Sequence, residues 1–116
     1  MKILIVEDNE EISLLLCEYL QGEGHDTSVA ANGSIALEKI KDVGVPDLIL
    51  LDMMMPVMDG TQFAIELRLK YQHPCPIIVM SAAVDIAARA REINAVSWIS
   101  KPLRFTEILK LVEQFS

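Results

Sequence analysis

A chain of 116 residues, 52% hydrophobic and 23% charged, is long enough for one core, and residues 1–116 are read as a single domain. Aromatic residues contribute only 5%, so that core must be aliphatic. The net charge of −7 argues against direct contact with nucleic acid or an anionic membrane, because both reward basic surfaces.

The opening MKILIVED turns acidic after four apolar residues, too short for a signal sequence, and no run reaches the roughly 18 apolar residues of a membrane helix. A cytoplasmic protein is expected. Residues 2–6 (KILIV) form a first short apolar run of strand length, after which Ile12, Leu15, Leu16, Tyr19 and Leu20 recur at helical spacing. Cys17 lies inside that pattern and is read as a buried free thiol; with Cys75 far away, the two match no metal-ligand spacing. DTSVA at 26–30 is a weaker strand, followed by a helical stripe of Ala36, Leu37 and Ile40. The run LILL at 48–51 is a strand apolar throughout, and Phe63, Leu67 and the stem of Lys70 mark the helix after it. PIIVM at 76–80 is the fourth strand, with Ile86, Ala90 and Ile93 behind it. VSWI at 96–99 is a weak fifth, and Ile108, Leu109 and Val112 close the pattern. Strands apolar on both faces and alternating with helices imply an α/β fold, a doubly wound sandwich around a parallel sheet.

In such sheets functional groups gather beyond the carboxyl ends of the strands. Glu7 and Asp8 stand at the end of the first strand, Asp52 after the third, Ser81 after the fourth and Lys101 after the fifth. Two carboxylates about 4 Å apart repel by ~4 kcal/mol at an effective dielectric near 20, so the cluster takes up protons or recruits a cation. Oxygen ligands suit a hard divalent metal, most simply Mg²⁺. Lys101 supplies a point charge for an anionic oxygen, and Ser81 a small donor. A nucleophilic carboxylate, a metal and donors describe a site for phosphoryl transfer. Taken singly, Asp52 reads as a turn former, Ser81 as the N-cap of the next helix, Lys101 as a surface lysine and Trp98 as a core aromatic. The arrival of Glu7, Asp8, Asp52, Ser81 and Lys101 at one sheet edge is what favours the chemical reading.

The pieces ILIVEDN, LILLDMMMPVMDG, PIIVMSA and SWISKP, in that order, closely resemble the receiver domain of two-component response regulators, including chemotaxis regulators, over essentially all 116 residues. The resemblance implies a flavodoxin-like (βα)5 fold with strand order 2-1-3-4-5. It implies that Asp52 accepts a phosphoryl group from a histidine kinase or phosphotransfer protein. Asp8 would bind Mg²⁺ (or Mn²⁺) directly, Glu7 mostly through water, and Met54 through its backbone carbonyl. Ser81 would be the hydroxyl that turns toward the phosphoryl group and Lys101 the lysine that contacts it. Trp98 would be the aromatic switch, and the peptide before Pro102 would be cis. The output would be a changed face on the fourth helix, fifth strand and fifth helix, recognised by a target or output domain, with a phosphorylation-dependent dimer as a further expectation. Such a module assists its own phosphorylation and dephosphorylation but is not an enzyme acting on a separate substrate.

Several positions depart from the commoner pattern. The acidic pair is Glu-Asp rather than Asp-Asp, the hydroxyl is serine rather than threonine, and Asn94-Ala95 stands where Gly-Ala is frequent, asparagine tolerating positive φ. Met54 and Ala83, each two residues after a site residue, cannot position an attacking water, so slow self-dephosphorylation is expected. Pro56 and Gly60 shape the loop leaving the third strand, and His25 and His73 are read as solvated loop residues. Two other functions stay open. A phosphorylation-independent interaction module is disfavoured by the intact Asp8, Asp52, Ser81 and Lys101. An aspartate-nucleophile phosphatase is disfavoured because that chemistry usually wants a second acid where Met54 stands. A flavodoxin-like cofactor carrier is a weaker reading, since the first turn, EDNEE, would repel a phosphate. With nothing beyond LKLVEQFS, either a stand-alone receiver or a piece of a longer regulator or hybrid kinase is expected.

Overall fold

The computed structural model describes residues 1–53, 55, 57–71 and 75–115; the expectations for Met54, Pro56 and His73 lie outside these. Strands β1 (Lys2–Val6), β2 (Asp26–Ala30), β3 (Leu48–Asp52), β4 (Ile77–Ser81) and β5 (Ser97–Ser100) alternate with helices α1 (Glu10–Gly22), α2 (Gly33–Val43), α3 (Gly60–Lys70), α4 (Ile86–Glu92) and α5 (Phe105–Gln114). All strand pairs are parallel, in the order β2-β1-β3-β4-β5. This is the expected doubly wound α/β sandwich.

Two apolar layers explain why β3 and β4 are buried along their whole length. Side chains alternate across the sheet, so Ile49 and Leu51 face a layer with Leu37, Ile40, Phe63, Leu67 and Ala90. Leu48 and Leu50 face the opposite layer with Leu16, Leu20, Ile108 and Val112. The sheet edges are wetter, which is why DTSVA and VSWI read weakly: β2 and β5 each keep exposed positions.

Several expectations need correction. The buried stripe of α1 is Ser13, Leu16 and Leu20, while Leu15 is 51% exposed. Adjacent residues on a helix are rotated by about 100°, and Leu15 lies off the stripe. Lys70 is exposed; Ala64 fills the position between Phe63 and Leu67 on the buried face of α3. Trp98 is 44% exposed on the edge strand and is no core aromatic. Asn94 does adopt positive φ, at 52°.

Three helices that leave the strand ends are started by side-chain caps. Asn9 accepts the Ile12 N–H, Asn32 that of Ile35 and Asp59 that of Gln62. Ser81 is not the cap of α4, which starts after Asp85 without a side-chain cap bond. The Ser81 Oγ instead accepts the Ala83 N–H at 3.1 Å, a local turn bond.

Candidate functional site: an acidic cleft at the strand ends

Register decides what meets at the carboxyl edge. Val6 pairs with Leu51, so the residues that follow, Glu7 and Asp52, emerge side by side. Asp52 pairs with Met80 on the other flank, which places Ser81 next to the acid. Ser81 in turn pairs with Ser100, and Lys101 follows at once. Four sequence-distant residues are thus brought together by sheet pairing alone. The Lys101–Pro102 peptide is cis, and the Lys101 N–H donates to the Ser81 carbonyl at 2.8 Å.

Glu7, Asp8 and Asp52 each present a carboxylate oxygen, and these oxygens lie within 4.8 Å of one another. Glu7 and Asp52 are buried while Asp8 is exposed. Lys101 Nζ donates to Glu7 Oε1 at 2.7 Å and lies 3.6 Å from Asp52 Oδ2. Burial pulls the Lys101 ammonium toward deprotonation, but the Glu7 hydrogen bond and the Asp52 charge outweigh it and hold its pKa above the ordinary value. One lysine cannot balance three acids. Among the described residues, Glu7 Oε2 is a buried oxygen with no hydrogen-bond partner, a state that is costly unless something cationic reaches it. An all-oxygen donor set with an orphaned buried oxygen fits a hard divalent cation.

The acids line a cleft of about 510 Å³ that also contains Asn9, Ala82, Ala83, Arg89 and Lys101. Arg89 was not legible as a lining residue, because only the packing of α4 on β4 and β5 brings it to this cleft. Its one sequence signal was the i, i+4 spacing from Asp85, with which it pairs at 3.0 Å. Trp98 lies apart from the acids, in a second cleft of about 590 Å³ along β5 and α5 with Arg104, Glu107 and Leu111. His25 is no freely solvated side chain: its Nδ1 is 3.3 Å from the N-terminal amine.

The close approach of α3 to the acid tip depends on Gly60. Its N–H donates to the Met53 carbonyl at 3.2 Å. A Cβ there would meet Met53 Sδ at 2.6 Å, Met53 Cα at 2.9 Å and the Asp52 carbonyl oxygen at 3.0 Å.

Residues 3–113 match the family model of the response regulator receiver domain. Sporulation initiation phosphotransferase F of Bacillus subtilis is 35% identical over 116 residues, spanning 98% of this chain and 92% of that protein. The DNA-binding response regulator MtrA of Mycolicibacterium smegmatis is 34% identical over 113 residues, 96% of this chain, which spans only 48% of that relative's length. Among solved structures, the chemotaxis protein CheY4 of Vibrio cholerae superposes with a TM-score of 0.88 at 28% identity, covering 99% of this chain and 98% of that one. The response regulator TrrA of Thermotoga maritima, in complex with Mg²⁺ and beryllofluoride, gives 0.86 at 33% identity with the same coverage. Receivers take their phosphoryl group from histidine kinases or phosphotransfer proteins. With a family match along nearly its whole length and acids converging at the sheet's carboxyl edge, the chain belongs to the response regulator receiver domains, the phosphoacceptor modules of two-component signalling.

Proposed function

We propose that Asp52 is the phosphoacceptor of this receiver, working with Mg²⁺ (or Mn²⁺) held by Glu7, Asp8 and Asp52 together with the backbone carbonyl of Met54. The observation that carries this reading is the meeting of three carboxylate oxygens within 4.8 Å beside the Lys101 ammonium. An Asp52 oxygen attacks the phosphorus of a phosphohistidine; the P–O bond forms as the P–N bond breaks, and the imidazole leaves with the electron pair. The divalent ion, when bound, offsets negative charge on the phosphoryl oxygens. Lys101 contacts one of those oxygens, and buried β3 holds the nucleophile still.

Ser81 turns its hydroxyl toward the phosphoryl group, which means exchanging the bond it accepts from Ala83 for one it donates. Trp98, now half exposed, follows inward and reshapes the α4–β5–α5 face. A downstream target or output domain reads that face, or a second copy does so in a phosphorylation-dependent dimer. Residues 1–116 act as one signalling unit in the cytoplasm, with no direct nucleic-acid or membrane contact. No helix among the described residues is long and apolar enough to cross a membrane. The unit is not an enzyme on a separate substrate, although it assists its own phosphorylation and dephosphorylation.

The test is incubation with acetyl phosphate and Mg²⁺. One phosphoryl mass should be gained, and none in Asp52→Asn or with EDTA. A modified Asp52→Asn variant would refute the assignment.

A further inference from the structure

The charges around Asp52 do not balance once a phosphoryl group is in place. Before transfer, three carboxylates face Lys101 and a divalent ion, and the sum is zero. Transfer converts the Asp52 carboxylate into an acyl phosphate carrying a dianion, so one negative charge is left over. In a cleft with buried walls that residue of charge is not cheaply left to solvent. Among the described residues lining this cleft, the second cation besides Lys101 is Arg89.

Resting on the phosphoacceptor role of Asp52, we propose that Arg89 is an anion-binding residue of this site, a second cation for the phosphoryl dianion that Asp85 holds back until the anion arrives. Asp85 and Arg89 sit one turn apart, with Arg89 Nε 3.0 Å from Asp85 Oδ1. Their side chains are 55% and 36% exposed, and ion pairs that open to water are weak. A phosphate offers what that carboxylate offers, a bidentate partner for the guanidinium fork, with more charge and behind a drier wall. Arg89 already lines the cleft that holds Asp52, so the anion and the guanidinium share one opening. Lys101 contacts the phosphoryl group but cannot offset the added charge, since its one positive charge already stands against Glu7 and Asp52 in that sum. Arg89 therefore favours the phosphorylated over the free state, and Asp85 sets how strongly.

The experiment follows phosphorylation of the full chain by acetyl phosphate at saturating Mg²⁺, by intact mass, alongside beryllofluoride titration as a readout free of chemistry. Arg89→Ala should weaken beryllofluoride binding and raise the half-saturating acetyl phosphate concentration, each by about tenfold, the size of one charge-assisted contact. Arg89→Lys should recover part of both. Asp85→Asn should shift both the opposite way, by roughly twofold, as expected for releasing one exposed pair. In the double variant Asp85→Asn should have no effect. A purely structural role for the pair predicts losses in both single variants, so a loss with Asp85→Asn overturns the proposal. Wild-type behaviour of Arg89→Ala overturns it too. Both outcomes are distinct from failure of the phosphoacceptor reading, in which the wild-type chain would gain no phosphoryl group at Asp52.

Discussion

Replacing Lys101 by methionine removes the ammonium that donates to Glu7 Oε1 at 2.7 Å, while Glu7 Oε2 already has no hydrogen-bond partner among the described residues. The Glu7 side chain is 0% exposed, so the variant strands a buried carboxylate. Breaking one side of a buried pair costs about 3–5 kcal/mol. Lys101 is 21% exposed and lets water approach, which favours the lower end, about 3 kcal/mol. For a chain of this size that is a fall in Tm of about 12 °C, at ~4 °C per kcal/mol. Thermal unfolding in EDTA at neutral pH measures it. Two controls give the reasoning its direction. Adding Glu7→Gln should recover most of the loss, because a neutral amide needs no counter-charge. Saturating Mg²⁺ should also recover part. If Lys101→Met and the double variant unfold at the same temperature in EDTA, the buried-charge argument is wrong.

Gly60→Ala should destabilise by about 1–3 kcal/mol, the usual cost of overpacking, and slow phosphorylation by acetyl phosphate. Trimming Met53 to alanine should restore only part, because the Met53 Cα and the Asp52 carbonyl oxygen would still be too close. In the wild type, burial works against the Lys101 charge but Glu7 and Asp52 overcome it, so the pKa is raised above 10.5. The stabilisation is therefore whole below pH 10.5 and is lost as pH rises through the folded value, which alkaline unfolding compared with Lys101→Met will detect. Burial, eased by a backbone hydrogen bond and reinforced by Asp47, pushes the Cys75 thiol up to about 12. At pH 8 its thiolate is then about a thousandfold scarcer than that of an ordinary thiol, and iodoacetamide should label the unfolded chain far faster than the folded one at this residue. The phosphorylated chain should have a long half-life that Met54→Asn shortens; an equal or longer half-life in the variant removes that idea.

What was legible in the sequence was whatever periodicity and strand-end chemistry encode. β3 and β4 lie between two helical layers, so their first four residues are apolar without interruption, and LILL and PIIVM announced them. The edge strands carry exposed positions and read faintly. The convergence of Glu7, Asp8, Asp52, Ser81 and Lys101 followed from parallel pairing, which puts every strand end on one edge. Facts that depend on rotation or on helix packing were not legible. Leu15 looked like core because it neighbours Leu16 in an apolar run, and only the placement of Ser13 and Leu20 on the buried stripe turns it outward. Taken singly, Trp98 reads as core because tryptophan is well buried on average, yet it stands half exposed on the edge strand, and the switch role the resemblance implies is a separate matter. Arg89 carried no strand-end signal at all.

The same accounting explains why a carboxylate can end so apolar a strand. Asp52 is 2% exposed, and unpaired it would be a severe liability. It is tolerable because Lys101 Nζ lies 3.6 Å away and because the neighbouring acids form an oxygen set that fits a cation. Yet Lys101 spends its shorter contact on Glu7, at 2.7 Å. Glu7, proposed above as a metal ligand, thus has a second role to test: its shorter contact holds the ammonium back from Asp52, the proposed nucleophile. Glu7→Gln should separate these roles. It should ease apo-protein stability little, because it removes a buried charge and its counter-charge contact together, while lowering Mg²⁺ affinity and slowing acyl-phosphate formation. An unchanged phosphorylation rate at saturating Mg²⁺ would leave Glu7 with the metal alone.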